Sequence, residues 1–380
     1  MALLAYLRSV RSALTNIATS SARVHVVLGN EACDLDSAVC AIVTGYMLKG
    51  TTDELIVPML NIPRADYPLK TEVRFVFSQA NITDSMLTFH DDLDLPALHR
   101  SNRLEVTLVD HNVLAEYLQP IHSAIVRVID HHKLEASFTP AVEKTIEVVG
   151  SCATLVGEKL LTEKPDRLDQ LVANLILSTI VADTVNFSES AKKTTPKDVK
   201  IFDNLKALFP SDTDWTSQYT RIAHAKGSVA SMAVRDLLRK DLKMVIAGTM
   251  RIAMPTVPIS MSQLLEMPNF EADLEHFRKQ QQANAVVVMT ACTTANSDTL
   301  QRGMAVHAES DDLRKSLVDY LTKFAEPSLD LREMTHTISA SCVKHPSTHV
   351  MVQGNSAASR KIVLPAVRAF AESYTKAVPV

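Results

Sequence analysis

The sequence predicts an α/β protein, with an N-terminal domain built on a mostly parallel sheet and a smaller α+β domain after it. Three observations carry that expectation. Short β-prone apolar runs alternate with helix-periodic runs through the first half of the chain. Several of the short runs are apolar almost throughout, as strands covered on both faces are. The first of them, Val24 to Leu28, leads into Gly29-Asn30-Glu31-Ala32-Cys33-Asp34-Leu35-Asp36-Ser37. Loops at the carboxyl ends of strands are where open α/β sheets bind ligands.

The elements follow in order. Leu3 to Ile17 reads as a helix; the arginines Arg8, Arg11 and Arg23 ahead of the first acid, Glu31, also give a weak transit-peptide pattern. The helix is the better reading, because a strand starts at Val24. Ala38 to Leu48 is helix-periodic and Glu54 to Pro58 a short strand. Asn61 to Leu69 is a Pro-punctuated connection. Glu72 to Phe77 alternates like a strand, and Asp91 to Pro96 reads as an acidic loop. Leu104 to Val109 and Ile125 to Ile129 are strands, ending in Asp110-His111-Asn112 and Asp130-His131-His132. Gly150 to Val156 begins a helix, and Arg167 to Ala182 is a long one that ends at Asp183. Thr195 to Lys226 is more polar and helical, and the domain connection falls there, giving domains 1–210 and 211–380. Beyond it come helices at Ser231 to Arg239, Ser262 to Gln281 (broken at Pro268) and Leu313 to Phe324. Strands are expected at Leu242 to Gly248, Ala283 to Met289, Gly303 to His307 and His349 to Gln353, and a last helix from Ser359.

Length and composition bound the function. The 380 residues suffice for two cores, and 46% hydrophobic with 22% charged residues is ordinary for a soluble globular protein. No apolar run approaches the roughly 20 residues of a bilayer span, so no membrane partner is expected. A net charge of −4 gives no global drive toward nucleic acid. The five cysteines, Cys33, Cys40, Cys152, Cys292 and Cys342, are scattered and odd in number. They read as reduced thiols, and the cytoplasm is the expected compartment.

Asp34 and Asp36 repel each other unless a cation holds them. Asp183 at a helix C-terminus opposes the macrodipole and wants the same compensation. Each residue alone has an ordinary explanation as a cap, a turn residue or a satisfied histidine. Their conjunction at four element ends does not. Hard carboxylate oxygens with an imidazole suit Mn²⁺ or Mg²⁺, and two divalent ions neutralise four aspartates. Such a pair clamps the attacking and leaving oxygens of phosphoryl chemistry.

At this point the chain resembles the DHH phosphoesterases. Asn30-x3-Asp34-x-Asp36, Asp110-His111-Asn112, Asp130-His131-His132 and Asp183 look like the family's four motifs, in order. Ser359-Arg360-Lys361 before an apolar helix with Pro365 looks like the DHHA2 type. Within that branch the manganese pyrophosphatases carry histidine where this chain has Asn30. Asn30, Val57-Pro58, Ile62-Pro63-Arg64 and Gly150-Ser151-Cys152 instead look like the exopolyphosphatase and prune group.

The resemblance implies a metal-binding DHH domain, a substrate-binding DHHA2 domain and an active site in the cleft between them. It implies hydrolysis of the terminal phosphate of inorganic polyphosphate by water activated between two divalent ions, Mg²⁺ or Mn²⁺. Asp34 and Asp110 would hold one ion; Asp36, Asp110, His131 and Asp183 the other. Asn30 would substitute a weak neutral oxygen for a strong imidazole ligand, making the site more accepting of Mg²⁺. His132 would face the phosphate, and Asp130 and His111 would orient their neighbours. Arg360 and Lys361 at a helix N-terminus make an anion site with the free backbone N–H groups, and Lys243 is a further candidate. Alternatives are a pyrophosphatase, a prune-like nucleotide phosphodiesterase, or a scaffold that has lost catalysis; the intact ligand set ranks the last lowest. A monomer is the default, since no heptad seam or long apolar stripe demands a partner.

Overall fold

The structure, a computed structural model, describes residues 2–17, 20–50, 54–229, 232–294, 297–334 and 347–377; the side chains of 294, 297–299, 376 and 377 fall outside that description, as does Cys342. The chain divides into two compact units, Met1–Ser228 and Val229–Val380.

Among the described residues, the first unit is organised by six strands, β1 (Val24–Leu28), β2 (Leu55–Leu60), β3 (Thr88–Phe89), β4 (Leu104–Val109), β5 (Ile125–Asp130) and β6 (Glu143–Ile146). They lie in the order β3-β2-β1-β4-β5-β6, every pair parallel. The order reverses at β1, which is flanked by β2 and β4; the carboxyl ends of β1 and β4 therefore open onto a switch point. All five residues of β1 are buried, as a strand covered on both faces requires.

Among the described residues, eight α-helices belong to this unit: α1 (Ala2–Leu14), α2 (Leu35–Leu48), α3 (Thr71–Gln79), α4 (Leu95–Arg100), α5 (Cys152–Glu163), α6 (Gln170–Asp183), α7 (Pro196–Lys206) and α8 (Trp215–Gly227). In α1, Leu3, Tyr6, Leu7 and Val10 are buried at helical spacing, and the Tyr6 hydroxyl donates to Ile56 O at 3.0 Å. At the amino ends of the central strands, Arg23 bonds Glu54 at 3.3 Å and Glu105 at 2.7 Å. Buried His25 lies beside them, its Nε2 2.8 Å from Thr107 Oγ1.

Two expectations need correction here. Glu72 to Phe77 is not a strand but the body of α3, which buries Val73, Val76 and Phe77. Phe75, which completes the apparent alternation, is half-buried, with the Arg221 guanidinium 5.2 Å from its ring centre. The division also comes later than residue 210. Trp215 packs edge-on against Phe202 and Phe209, and Ile222 is buried in the first core, so α8 stays with the first unit. The acidic stretch from Asp91 is partly a 3₁₀ turn, His90–Asp92, and runs into α4 at Leu95.

The second unit holds a mixed sheet of β7 (Leu242–Ala247), β8 (Met250–Val257), β9 (Ala285–Thr294), β10 (Ser297–Ala308), β11 (Leu331–Glu333) and β12 (Thr348–Gln353), in the order β11-β12-β10-β9-β8-β7. The β8–β9 pair is parallel and the others antiparallel. Its helices are α9 (Val234–Lys240), α10 (Met261–Leu265), α11 (Phe270–Gln280), α12 (Asp311–Lys323) and α13 (Arg360–Ala377). Val287, Met304 and Val306 meet Leu317, Leu321, Val363 and Val367 from α12 and α13 in one core. The alternate residues Val286, Val288 and Ala305 are buried as well, so both faces of the sheet are covered. The break at Pro268 separates α10 from α11 as expected.

Candidate metal centre

The site is assembled from the loops at the carboxyl ends of β1, β4 and β5, joined by the start of α5 and the end of α6. Motif one turns tightly from β1 into α2. A β-carbon at Gly29 would run into Ser37 Oγ, which accepts the Asn30 N–H at 2.6 Å. Asp34 caps α2, accepting from Ser37 N at 3.1 Å. Asp36, in the first turn, is 3% exposed and is held by a second helix start. Its Oδ1 accepts from Ser151 Oγ at 3.0 Å, Ala153 N at 2.8 Å and the Cys40 thiol at 3.3 Å. Its Oδ2 accepts from Cys152 N at 2.7 Å and lies 3.7 Å from His131 Nε2. Gly150, just before this helix start, packs where a β-carbon would meet Lys193 O at 2.7 Å.

Asp110 leaves β4 in the left-handed conformation, φ 62°. That turn aims its carboxylate along the sheet edge toward both neighbouring motifs. Asn30 Nδ2 donates to Asp110 Oδ2 at 2.7 Å and to its carbonyl at 3.2 Å; Asn30 Oδ1 accepts from Cys33 N at 3.1 Å. Both ends of the Asn30 amide are thus committed to shaping the site. Asp110 Oδ1 faces His131 Nε2 at 3.2 Å. His131 Nδ1 sits 2.9 Å from Val149 O. A carbonyl can only accept, so Nδ1 carries a proton and Nε2 is the atom offered to the carboxylates.

Asp130 is fully buried and works outward. Its Oδ1 accepts from His132 N at 3.1 Å and pairs with His132 Nδ1 at 2.8 Å, while Oδ2 accepts from Asn112 Nδ2 at 2.6 Å. His111 Nδ1 bonds Val109 O at 2.9 Å, and its buried Nε2 has no partner among the described residues. Burial holds His111 below the usual imidazole range. Asp183 closes α6 just before Val185, Asn186 and Phe187, three consecutive left-handed residues. The Ser151 hydroxyl, which donates to Asp36, lies close enough to Asp183 to favour its charged form.

The electrostatics describe a shortage of positive charge. Burial, then the Asp36 carboxylate, raises Asp110 to about 8. Burial, then Asp36, holds Asp183 well above the carboxylate range, and burial raises Asp36 too. Burial alone would lower His131, but the hydrogen bond with Asp110 and the field of Asp36 outweigh it and push His131 up to about 10. Asp183 Oδ2 is buried with no partner among the described residues. An unpaired carboxylate oxygen beside Asp36 and Asp110, with His131 Nε2 turned toward the same carboxylates, fits a divalent cation. Asp110, His131 and His132 each offer a ligand atom within 4.8 Å of the others. Protons on these groups do a metal's electrostatic work in its place.

The first unit therefore brings together Asn30, Asp34, Asp36, Asp110, Asp130, His131, His132 and Asp183, with His111 partly buried next to Asp110 in the chain. Arg360, Lys361 and Lys243 lie in the second unit. Arg360 is braced there, donating to Asp241 Oδ1 at 2.6 Å, Asp241 O at 2.7 Å and Met254 O at 3.2 Å. Lys361 and Lys243 are exposed and form no ion pair among the described residues. Sequence reasoning passed over Ser151 and Asn112 as site residues. Their signals were present: Ser151 precedes a helix, and Asn112 closes the second motif.

A family model described as the DHHA2 domain matches residues 220–370. The exopolyphosphatase PRUNE1 of Homo sapiens is 34% identical over 371 residues, 97% of this chain and 79% of that protein. The chain belongs to the DHH phosphoesterase superfamily. Within it, the chain falls in the DHHA2 branch with the exopolyphosphatases. A putative exopolyphosphatase of Schizosaccharomyces pombe is 30% identical over 372 residues, 94% of each chain. A probable manganese-dependent inorganic pyrophosphatase of Staphylococcus aureus is 29% identical over 252 residues, 64% of this chain and 74% of that one. The C-terminal unit, which holds most of the matched residues, is α+β. Among its described residues, no helix of this DHH protein is long and apolar enough to cross a membrane.

Proposed function

We propose that this chain is an exopolyphosphatase that hydrolyses the terminal phosphoanhydride bond of inorganic polyphosphate. The observation that carries the reading is the buried, partnerless Asp183 Oδ2 beside Asp36 and Asp110, with His131 turned to the same carboxylates. Asp36, Asp110, His131 and Asp183 would hold one divalent cation, and Asp34 with Asp110 a second, Mg²⁺ or Mn²⁺. Bound there, such ions supply Lewis acidity toward water and neutralise phosphoryl charge. Water adds to the terminal phosphorus, the bridging P–O bond breaks, and orthophosphate and a shortened chain leave.

The chain's own residues set up that reaction. Asp130 ties down His132 Nδ1, leaving Nε2 of the half-exposed ring for a phosphoryl oxygen. Asn30 fixes the rotation of Asp110. Lys361 and Lys243 are assigned to substrate binding, while Arg360 serves chiefly as a brace. The names of the human and fission-yeast relatives support polyphosphate as substrate. The buried, unpaired Cys33, Cys40 and Cys152 support a reducing compartment, the cytoplasm.

A pyrophosphatase is the second reading, favoured by the name of the staphylococcal relative. Phosphate release from tripolyphosphate and from pyrophosphate, side by side with Mg²⁺ and with Mn²⁺, separates the two. Faster release from tripolyphosphate is expected, and its loss in Asp110→Ala. A preference for pyrophosphate would make the protein a pyrophosphatase; near-normal turnover by Asp110→Ala would remove Asp110 from the centre.

A further inference from the structure

Asn112 makes more hydrogen bonds than its place at the end of a motif requires. Its side chain is buried, with the residue 4% exposed, and all of its bonds go to one loop and one carboxylate. Nδ2 donates to Asp130 Oδ2 at 2.6 Å and to Lys133 O at 3.0 Å. Oδ1 accepts from Glu135 N at 2.9 Å and Ala136 N at 3.3 Å. The donors and acceptors around it leave no choice of amide orientation, since Lys133 O can only accept and the two N–H groups can only donate.

Residues 131–136 are thus gripped from the β4 side by one carboxamide. The grip passes through Asp130 to His132, whose N–H and Nδ1 both meet Asp130 Oδ1. His131 is the first residue of the same loop. Asn112 itself stands two residues after Asp110, so the amide joins the loop that carries the shared carboxylate to the loop that carries both imidazoles.

We infer that Asn112 is a positioning residue: it holds Asp130 in the rotamer that fixes the His132 ring and sets the loop presenting His131. The inference rests on the reading of this site as a metal centre, and it assigns Asn112 no contact with cation or substrate. Partners that orient ligands in this way change metal affinity or activity by about 10–100-fold when removed.

The test uses the full chain, with Mn²⁺ alone as the binding probe and tripolyphosphate as the substrate. Asn112→Asp preserves shape and still accepts from Glu135 N and Ala136 N, but sets a carboxylate against Asp130. The variant also loses the bond to Lys133 O, so if Asn112 only shapes the loop, that loss is its whole cost and adding D130N recovers nothing. If it orients Asp130, Mn²⁺ binding weakens and kcat falls by about 10–100-fold, more than KM changes. The double exchange N112D/D130N restores the pair with donor and acceptor reversed, because the new amide can donate across the gap while its oxygen accepts from His132. Recovery of about tenfold over N112D is the expected result, with circular dichroism and melting checking that all variants fold. Wild-type behaviour of N112D, or a double variant no better than N112D, overturns the assignment. Asp110→Ala runs beside them: its failure to weaken Mn²⁺ binding would overturn the metal centre itself, whereas a weakened Asp110→Ala with an unaffected N112D overturns the role of Asn112 alone.

Discussion

Asp183→Asn should move stability in opposite directions with and without a divalent cation. In the cation-free protein Asp183 Oδ2 is buried with no partner among the described residues, and Asp36, Asp34 and Asp110 all oppose its charge. Leaving a buried polar group unsatisfied costs about 1–3 kcal/mol, more when it is charged. The amide keeps the shape and removes the charge. For a unit of this size each kcal/mol moves the melting temperature by about 2–4 °C, so the variant should melt about 2–12 °C higher in EDTA.

The pH dependence has a definite sign. A carboxyl whose native pKa lies above its unfolded value contributes stability at low pH and loses it as pH rises through the gap. The advantage of the variant should therefore be absent below about pH 4, the ordinary carboxyl range, and grow as pH rises. With cation the order reverses. A ligand at about 1,000 times its Kd stabilises by about 4 kcal/mol, and a hundredfold loss of affinity reduces that to about 1.4 kcal/mol. Scanning calorimetry of both proteins in EDTA and in saturating Mn²⁺ should thus give curves that exchange order. An Asp183→Asn variant that melts below wild type in EDTA, or that keeps the full Mn²⁺-dependent rise, would refute the account of Asp183 as a ligand in waiting.

Two further perturbations test other parts of the molecule. His25 is held near pKa 4, chiefly by burial. The unfolded chain takes up its proton near pH 6.5, so stability should fall by up to about 3 kcal/mol between pH 6.5 and 4, and His25→Gln should flatten that slope in denaturant titrations. A slope unchanged by the substitution would place the titration elsewhere. Lys361→Ala should raise KM for tripolyphosphate severalfold, with kcat changed by less than about twofold and the effect fading in high salt; an unaltered KM would remove Lys361 from the substrate contacts.

The parallel sheet and its acidic loop ends were legible because the same residues carry both signals. Val24 to Leu28 and Leu104 to Val109 are β-prone and end in chemistry-bearing residues. Glu72 to Phe77 misled because Val73, Phe75 and Phe77 alternate, while Val73, Val76 and Phe77 also share a helix face. Tertiary packing chose the second pattern. Met250–Val257 escaped notice because Pro255 stands inside it, and the short β3, β6 and β11 owe their existence to pairing rather than to their own sequence. Arg360 was legible as a cation but not as a brace: its partners Asp241 and Met254 are brought to it by the β7–β8 hairpin. Ser151 and Asn112 reach across from elements distant in sequence, so their roles depend on which loops the sheet places side by side.

The strand order has one more consequence. β3, β2 and β1 form one side of the sheet and precede residue 100; β4, β5 and β6 form the other and follow it. Asp34 and Asp36 belong to the earlier stretch of chain, whereas Asp110, His131 and Asp183 belong to the later. The proposed donors thus straddle the β1–β4 seam, and a cation held by them would be a rivet between two halves of the polypeptide as well as a reagent. Two polypeptides made by opening the turn at Ser101-Asn102 would carry two and three of these donors. A cation held by the proposed donors would add to the β1–β4 pairing and the shared core that draw the two pieces together.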